Sequence, residues 1–558
     1  MIKEIHLPFD PQLEPAVSLR AGELCCLYEA GKLRYIKKGE TVLISMVYAA
    51  VRDDNWGTLP YKIEDEKLVI EKESFTIQFT AVYGQEKPVY KAIFTIEGKA
   101  GNSISFSMQG TALAAFQKNR IGICVHHPIS SCSGQTVMVT RPDGTSHQSV
   151  FPEMVSPHQP LLEIQQMQWT TTDKTMVQLF FDGDIFEMED QRNWSDSSYK
   201  TYSTPQRIPF PVNVLPGDAI QQKVKMIAFN SGDSAAPQTN ISGEEKIPFP
   251  AIGYCRSRDR LPVTVAEAAL LQKIPFSHYR LLLQMDQKNW VDELHDGFAE
   301  AALLHTRLEL VIVFPEAFNA LLLVLLAKLK RKQNLLYSVL ILQKNKTVLP
   351  HALQARVYRL VKEVLPAVPV GYGTDHNFVD LNRQQPVADF FDFTSYSIHP
   401  QAHMTDNRSI WENLDNQPDM IATASSFSAG KPVFISPLTL KDRYDGKGAD
   451  KRQYTSMIAC WTLMSIQQLA MAGSITLYEL FGEAGLLRVE KNKNGEEVSI
   501  HASPVYEMLV AIHAFQPVFI IKRYTGRDLI MDGLLLENAA GERLFFKMPP
   551  EIISAKNQ

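Results

Sequence analysis

The chain has 558 residues, of which 45% are hydrophobic and 21% are charged, and its formal net charge is −5. This is the composition of a globular protein that is long enough for two or three domains. The mild negative charge and the lack of a basic block argue against a nucleic acid as a partner.

Three features bear on the location of the protein. The start, MIKEIHLPFDPQLEP, has no apolar core of the kind that a secretion signal requires. The most apolar run, residues 320–327, is too short to cross a bilayer, so no membrane partner is expected. The six cysteines form no CxxC pair. A reduced, cytoplasmic protein is the simplest interpretation.

Short strands separated by turns dominate the first part of the chain, from Leu24 to about Lys246. The clearest are KLRYIKKG, TVLISMVYAAV, FTIQFTAVY, VYKAIFTIEG and SISFSMQG. They alternate apolar and polar residues, which is typical of antiparallel strands with one buried face. We therefore expect an antiparallel β-sandwich domain over residues 1–246.

The densest polar stretch of the chain, Phe181–Tyr202, directly follows an apolar strand. If that strand continues, Glu187 and Glu189 lie on the same side of it. Arg192 and Asn193 follow closely. Because the flanks are apolar and aromatic, the stretch is either part of a functional site or a structural polar network.

Near Ile247 the pattern changes, and strands begin to alternate with helices. Eight such units fill residues 247–515, which predicts a (β/α)8 TIM barrel. A doubly wound open sheet is the alternative, but the glycine-rich phosphate loop that many such sheets carry after the first strand is missing. The eight predicted strands are Ala251–Cys255, Tyr279–Met285, Leu308–Phe314, Leu336–Leu342, Ala367–Gly371, Phe390–Tyr396, Pro432–Ile435 and Ser474–Glu479.

The last part of the chain, residues 516–558, returns to strand patterns in VFIIKRY, DLIMDGLLLEN and RLFFK. We expect these strands to pack as a small C-terminal β-domain, which strands from the start of the chain could complete.

In a barrel of this kind, the active site lies at the carboxyl ends of the strands. Several carboxylates and histidines fall there, which suits hydrolysis with one group as base and another as acid. The candidates at these ends are Asp286, Glu316, Asp375, His376, Asn377, Tyr396, His399, His403, Ser436 and Glu479.

Each of the main candidates also has a structural explanation. Glu316 could lie in the first turn of the next helix, where an acid suits the helix dipole. Asp375 could cap a short helix. His399 and His403 have the i, i+4 spacing of a metal site, but the HExxH pattern and a third ligand are missing, so no metal is predicted. No serine triad and no nucleotide cofactor is indicated.

Several segments of the chain resemble signature stretches of the D-apionate lactonase family. They are NRIGICVHHP, FPEMVSPHQP, FDGDIFEMEDQRNWSDSSYKTY, GTDHNFVDLNRQQP and YSIHPQAHMTD. The resemblance implies a β-sandwich followed by a glycoside-hydrolase-like barrel, and hydrolysis of the lactone of the branched sugar acid D-apionate in apiose breakdown. After the eighth strand the chain has LYELFGEAG, where the family is more aromatic or glycine-rich.

Hydrolysis of a lactone needs an activated water and donors for the oxyanion that develops. We assign the base role to Glu316 or Glu479, and contact with the carbonyl oxygen to His399 and Arg192. Substrate binding is assigned to the remaining candidates of the two regions: Glu187, Asn193, Asp375, Asn377 and Tyr396.

Two other functions remain open from the sequence. A glycoside hydrolase would use two carboxylates about 5 to 10 Å apart. A non-catalytic carbohydrate-binding protein would present exposed aromatic side chains without a converging acid pair. The expected partner is a small sugar lactone, no cofactor is expected, and the oligomeric state is open.

Overall fold

The computed structural model describes residues 2–8, 13–84, 86–230, 242–257, 262–491, 497–525 and 528–548. Contacts divide the chain into two compact units. The first, here called the barrel unit, consists of Met1–Gln12, Asn193–Asp196 and Gln238–Gln558. The second, the sandwich unit, consists of Leu13–Arg192 and Ser197–Pro237. The domain limits predicted at residues 246 and 515 stay predictions.

The sandwich unit contains two antiparallel sheets that enclose one apolar core, so the predicted β-sandwich is confirmed. The strands of the first sheet are, in spatial order, Leu161–Ile164, Phe186–Asp190, Ser198–Tyr202, Phe116–Pro128, Thr41–Asp53, Lys32–Lys38, Leu24–Glu29 and Val17–Ala21, with Val212–Val214 beside Phe116–Pro128. The strands of the second sheet are Ser146–Val150, Thr136–Thr140, Gln166–Thr170, Thr175–Asp182, Ala219–Asn230, Ser103–Ala112, Tyr90–Lys99, Phe75–Tyr83 and Tyr61–Ile70. The short helices of this half of the sequence are Ile129–Cys132 and the 3-10 turn Gln191–Trp194.

Alternation of side chains builds this core. Along Tyr90–Lys99 every second residue is buried, because one face of the strand packs against the opposite sheet. Phe94 stacks on Phe79 at 4.8 Å between ring centroids and meets Phe106 edge-on at 5.7 Å. The strand pattern of the sequence therefore identifies the inward face correctly.

The barrel unit contains a closed barrel of eight parallel strands, as predicted. Its strands, numbered below by their order in the chain, are Ala251–Cys255, His278–Gln284, Arg307–Phe314, Leu336–Gln343, Val370–Asn377, Phe393–Ile398, Val433–Leu438 and Ser474–Leu477. Its helices are Val265–Leu271, Trp290–Leu303, Asn319–Leu329, His351–Val364, Phe378–Arg383, Asn407–Glu412, Gln417–Phe427, Ser456–Gln468 and Pro504–Phe515, with 3-10 turns at Lys330–Leu335 and Lys451–Tyr454. A hairpin of Leu487–Lys491 and Glu497–Ala502 follows the eighth strand.

Local sequence explains many of these elements. The third strand, RLELVIVF, is an almost continuous apolar run because barrel strands are covered on both faces. Thr264 and Glu267 form a capping box at the start of Val265–Leu271. Ser503 caps Pro504–Phe515, whose first residue is a proline, the residue best suited to that position.

The fifth strand begins three residues later than predicted. It was expected at Ala367–Gly371 and runs over Val370–Asn377. Pro369 has no N–H to donate to a neighbouring strand, so the ladder starts after it. Asp375 therefore lies inside the strand rather than in the loop that follows it.

The sixth strand also begins later, at Phe393 instead of Phe390, and ends at Ile398. Asp392 accounts for the difference. Its carboxylate accepts hydrogen bonds from the Val370 N–H at 2.8 Å and the Tyr358 hydroxyl at 3.0 Å, which holds this residue in a turn at the amino end of the barrel.

The expected C-terminal β-domain is present as a small sheet. Its core contains Ile521, Leu535 and Phe545. The start of the chain contributes a strand, Ile2–His6, which pairs in parallel with Arg543–Lys547. The strands are, in spatial order, Ile2–His6, Arg543–Lys547, Gly533–Asn538, Pro517–Thr525 and Ser242–Pro248, and Asp528–Leu529 pairs with Pro517–Thr525. Among the described residues, no helix is long and apolar enough to span a membrane.

Candidate active site

The interior of the barrel carries charged side chains. Arg280, in the second strand, is 2% exposed, and its Nε donates to Ser436 Oγ at 2.8 Å. Its Nη2 donates to the carboxylate of Asp375, and its Nη1 lies 3.9 Å from Cys255 Sγ. Arg280 thereby links the middle of the barrel to the carboxyl end of the fifth strand.

Beside Arg280, on the neighbouring strand, a second buried acid is fully hydrogen bonded. Glu309, in the third strand, accepts from Ser436 Oγ at 2.6 Å and from Thr476 Oγ1 at 3.0 Å, and His278 Nε2 lies 3.2 Å away. Burial alone would raise the pKa of Glu309, but His278 and Arg280 outweigh it, so its pKa lies below the ordinary value. Glu309 is therefore an anion that anchors the barrel's polar interior.

Asp375 is held by two guanidiniums. Besides Arg280, Arg443 donates to its Oδ1 at 3.0 Å and to its backbone oxygen at 2.6 Å, and the Tyr444 hydroxyl donates to its Oδ2. Burial alone would raise the pKa of Asp375, but the charges of Arg280 and Arg443 outweigh it and hold its pKa well below its usual range. Asp375 is accordingly ionised and is a poor acceptor of a further proton.

His399, immediately after the sixth strand, is the least satisfied of these groups. It is 5% exposed, and neither of its ring nitrogens has a hydrogen-bond partner among the residues that the structure describes. Burial lowers the pKa of His399, opposed by the charges of Asp442, Asp196 and Asp445 and assisted by Arg443. The imidazole is therefore neutral at pH 7. A buried polar group without a partner is costly, which marks His399 as a group that a ligand would satisfy.

An ion-pair network fixes the loops around His399. Arg452 donates to Asp450 Oδ2 at 2.6 Å and to Gln401 Oε1 at 2.9 Å, and Gln401 in turn donates to the Leu440 carbonyl at 2.8 Å. Burial would raise the pKa of Asp450, but its bonds with Arg452 outweigh it and lower that pKa to about 2. The loops after the sixth and seventh strands are thus tied together. The region where Asp375, His399 and Arg443 lie is called the barrel mouth below.

The two predicted catalytic glutamates have different surroundings. Glu316 is exposed, at the start of the segment that leads into Asn319–Leu329. Glu479 follows the eighth strand and is 9% exposed. Tyr478 directly precedes Glu479, and the Arg443 guanidinium carbon lies 5.6 Å from the centre of the Tyr478 ring. Glu479 is therefore the chain neighbour of a residue that contacts the barrel mouth.

Two predicted binding residues have an unpaired polar atom. Asn377 Oδ1 and the Tyr396 hydroxyl are buried, and neither finds a hydrogen-bond partner in the described parts of the chain. Tyr396 pairs with Ile435, which lies between the inward-facing Phe434 and Ser436 and so points the other way. The Tyr396 ring packs against the Phe378 ring, at 4.7 Å between centroids. Tyr396 therefore faces the helices that surround the barrel, whereas Asn377 stands at the end of its strand, before the helix Phe378–Arg383.

In the sandwich unit, Glu187 and Arg192 belong to a saturated network. Glu187 accepts from the Tyr202 hydroxyl and from the Gln206 N–H, both at 2.6 Å. Arg192 is fully buried, pairs with Asp190 through Nε at 2.9 Å and Nη2 at 2.7 Å, and donates to backbone carbonyls as well. For both residues, these contacts favour the interpretation of the Phe181–Tyr202 stretch as a structural polar network.

Asn193 belongs to the barrel unit. Its Oδ1 accepts from Asn382 Nδ2 at 2.9 Å, in the helix that follows the fifth strand. The structure thus brings Asp375, Asn377, His399 and Asn193 into one unit.

Sequence reasoning missed the charged partners of Asp375. Arg443 and Tyr444 lie in the loop after the seventh strand, which has no periodic pattern. Arg280 and Glu309 carried a usable signal, because each interrupts an otherwise apolar strand, HYRLLLQ and RLELVIVF, where an unpaired charge would be costly. Across the residues that the structure describes, no group of His, Cys, Asp and Glu has the geometry of a metal site.

The fold and site define a class: a (β/α)8-barrel protein with an N-terminal β-sandwich and a charged, buried barrel mouth. Family models assign it further. The model of the D-apionate lactonase N-terminal domain matches residues 7–230, and that of the D-apionate lactonase TIM barrel domain matches residues 252–517. The chain belongs to the D-apionate lactonase family.

Individual proteins are also similar to the chain. A D-apionate lactonase of Brucella anthropi is 27% identical over 458 residues, which are 77% of this chain and 74% of that protein. An α-L-arabinofuranosidase structure from Thermotoga maritima shares 12% identity with a TM-score of 0.38, over 54% of this chain and 83% of that one. A family 39 glycoside hydrolase structure from Bacteroides cellulosilyticus WH2 shares 11% identity with a TM-score of 0.34, over 76% and 87%.

Proposed function

We propose that this protein is a lactone hydrolase of apiose metabolism that opens D-apionolactone to D-apionate. The observation that carries the proposal is the match of the D-apionate lactonase family models to both the sandwich and the barrel domains. The Brucella anthropi relative, a D-apionate lactonase, spans most of the chain and supports the same reaction.

His399 is the base in this proposal. A neutral imidazole accepts a proton from water, and the resulting hydroxide attacks the lactone carbonyl carbon. The tetrahedral intermediate then breaks its bond to the ring oxygen, which takes the proton from the His399 imidazolium and becomes a hydroxyl. His399 suits this role because it is buried, has no hydrogen-bond partner within the described ranges and is kept neutral by its lowered pKa.

The positive charge of Arg443 stabilises the developing oxyanion. The same charge lowers the pKa of His399, so it acts where His399 activates the water. Asp375 holds Arg443 in place, and Asn377 Oδ1 is suited to accept a bond from a sugar hydroxyl. Glu479 is the second candidate for the base, and its burial distinguishes it from the exposed Glu316. Arg192 and Tyr396 have no role in the proposed reaction, because Arg192 is paired with Asp190 and Tyr396 faces the helices.

A glycoside hydrolase would need a carboxylic acid whose pKa is raised so that it can donate a proton. The two buried acids of the barrel interior, Asp375 and Glu309, both have a lowered pKa. Neither of these two acids is therefore suited to the proton-donor role of a glycosidase.

The test is a substrate panel with the purified protein. D-apionolactone, other five-membered aldonolactones and nitrophenyl glycosides are offered between pH 5.5 and 7, where spontaneous opening is slow, and acid release is followed in a pH-stat. We expect acid release from D-apionolactone, weaker release from the other lactones, and no nitrophenol. Nitrophenol release without lactone opening would overturn the proposal.

A further inference from the structure

The four residues Asn193–Asp196 lie between two strands of the sandwich, Phe186–Asp190 and Ser198–Tyr202, yet they belong to the barrel unit. The segment leaves a 3-10 turn and makes a sharp bend at Ser195, whose φ of 70° is in the left-handed region. A non-glycine residue in that region is strained, so the surrounding contacts must hold the bend. The bend delivers Asp196 to the loop after the sixth strand.

Asp196 is 3% exposed, and each of its carboxylate oxygens has a partner in that loop region. His403 Nδ1 hydrogen bonds to Oδ2, and Asn413 Nδ2 donates to Oδ1 at 3.1 Å. Asn413 also donates to the Pro400 carbonyl at 2.8 Å, and Pro400 directly follows His399. Asp196 is thus connected through one asparagine to the backbone that carries His399.

The same segment makes further contacts within the barrel unit. The Asn193 side chain accepts from Asn382, and the Trp194 ring meets the His403 ring edge-on at 6.0 Å. The segment therefore contacts the elements that follow the fifth and the sixth strands, the two strands whose ends carry Asp375 and His399.

We propose that Asp196 is a positioning residue of the barrel mouth: it fixes the tautomer of His403 and the placement of His399 for the reaction. The proposal rests on the proposed function for its kinetic consequence. As an acceptor to His403 Nδ1–H, the carboxylate leaves His403 Nε2 as the unprotonated nitrogen, the arrangement in which an aspartate orients a catalytic histidine. Its charge also favours the protonated form of His399.

The charges that face His399 come from two elements. Asp442, Arg443 and Asp445 lie in the loop after the seventh strand, and Asp196 lies in the inserted segment. Removal of the charge of Asp196 takes away one of the carboxylates that raise the pKa of His399, so we expect that pKa to fall.

The test variant is Asp196→Asn, which keeps the shape of the side chain and has only one acceptor oxygen. It can therefore serve either His403 or Asn413 as a carboxylate does, but not both. We expect kcat to fall by up to about tenfold and KM to stay within about twofold of wild type. The acid limb of the pH profile should move to lower pH. The matched control is Asp392→Asn, an aspartate with three hydrogen-bond partners at the amino end of the sixth strand.

A second measurement needs no substrate. Nitrogen-15 NMR of labelled histidines reads the tautomer of His403, which we expect to be Nδ1–H in the wild type and at least partly Nε2–H in Asp196→Asn. If wild type opens no lactone, the proposed function fails, and this spectrum still decides on Asp196. A wild-type His403 in the Nε2–H form, or a variant that keeps both the wild-type tautomer and the wild-type pH profile, overturns the positioning role.

Discussion

Arg192 in the sandwich unit and Arg443 in the barrel unit are both buried guanidiniums paired with an aspartate. The donors of Arg192 are satisfied. Both carboxylate oxygens of Asp190 accept from it, and backbone carbonyls accept from its remaining N–H groups. At the barrel mouth, Arg443 and Arg280 share one carboxylate, Asp375. The buried imidazole of His399 has no hydrogen-bond partner in the part of the chain that the structure describes.

The difference separates structure from chemistry. A saturated buried network contributes to the folded state and offers a ligand little, because its donors and acceptors are engaged. A site that keeps an unpaired polar group in a charged, buried environment gives up stability and gains a place where a substrate can bind. Both regions are rich in charge in the sequence, and only the hydrogen bonds distinguish them.

The largest expected effect concerns His399. In His399→Gln we expect kcat for lactone opening to fall by about 10² to 10⁴-fold, the usual contribution of a general base. The melting temperature should change little, because the imidazole has no hydrogen bond to lose to any residue that the structure describes. The control is His295→Gln, whose side chain is 77% exposed on a barrel helix and which should keep wild-type kcat. A His399→Gln variant with more than half of the wild-type kcat would remove His399 from the mechanism.

Arg192→Ala should show the opposite pattern. It leaves Asp190 as a buried charge without its partner, which costs about 3 to 5 kcal/mol of the free energy of unfolding. Urea denaturation measures this loss, and kcat per folded molecule should stay at the wild-type value. A loss of kcat without a loss of stability would make Arg192 a functional residue and erase the contrast with the barrel mouth.

Asp375→Asn sharpens the contrast through its pH dependence. The folded-state pKa of Asp375 lies below its ordinary value of 3.8, so its ion pairs stabilise the fold at and above that pH and lose this effect as the pH falls through the folded-state pKa. We expect the variant to lose about 3 kcal/mol at pH 7. The difference from wild type should shrink below pH 3.8 in denaturant titrations. A difference that is the same at pH 7 and pH 3 would mean that ionisation of Asp375 is not the source.

The smallest effect is a shift of the pH profile by Asp442→Asn. Asp442 raises the pKa of His399, so its neutralisation should move the acid limb of kcat/KM to lower pH by a few tenths of a unit. Arg443→Gln should move the limb the other way, alongside its loss of kcat. Asp389→Asn, whose side chain is 78% exposed, is the control and should leave the limb in place.

The architecture was largely accessible from the sequence because its signals are local. Alternation marks sandwich strands, and repeated strand–helix units mark the barrel. The Ile2–His6 strand was harder, because its parallel pairing with Arg543–Lys547 joins the two ends of the chain and leaves no trace in either segment alone. The same holds for Asn193–Asp196, which local pattern assigns to the sandwich and contacts assign to the barrel unit.

The candidate site was accessible only in part. The strand-end rule selected Asp375 and His399, because it depends on where parallel strands stop. It could not select Arg443 or Tyr444, which reach Asp375 from a loop 68 and 69 residues away along the chain. It also selected Tyr396, whose inward or outward direction depends on a one-residue register that the sequence does not define.

The central claim is that His399 is a neutral imidazole in the free protein and contacts the lactone when it binds. This claim can be tested directly. Nitrogen-15 spectra of histidine-labelled protein, with His399 assigned from its absence in His399→Gln, are recorded at pH 7 with and without a lactam analogue of D-apionolactone. We predict a neutral His399 in the free protein and a marked shift of its ring nitrogens when the analogue binds. A His399 that is protonated at pH 7, or whose signals do not move at saturating analogue, would contradict the account.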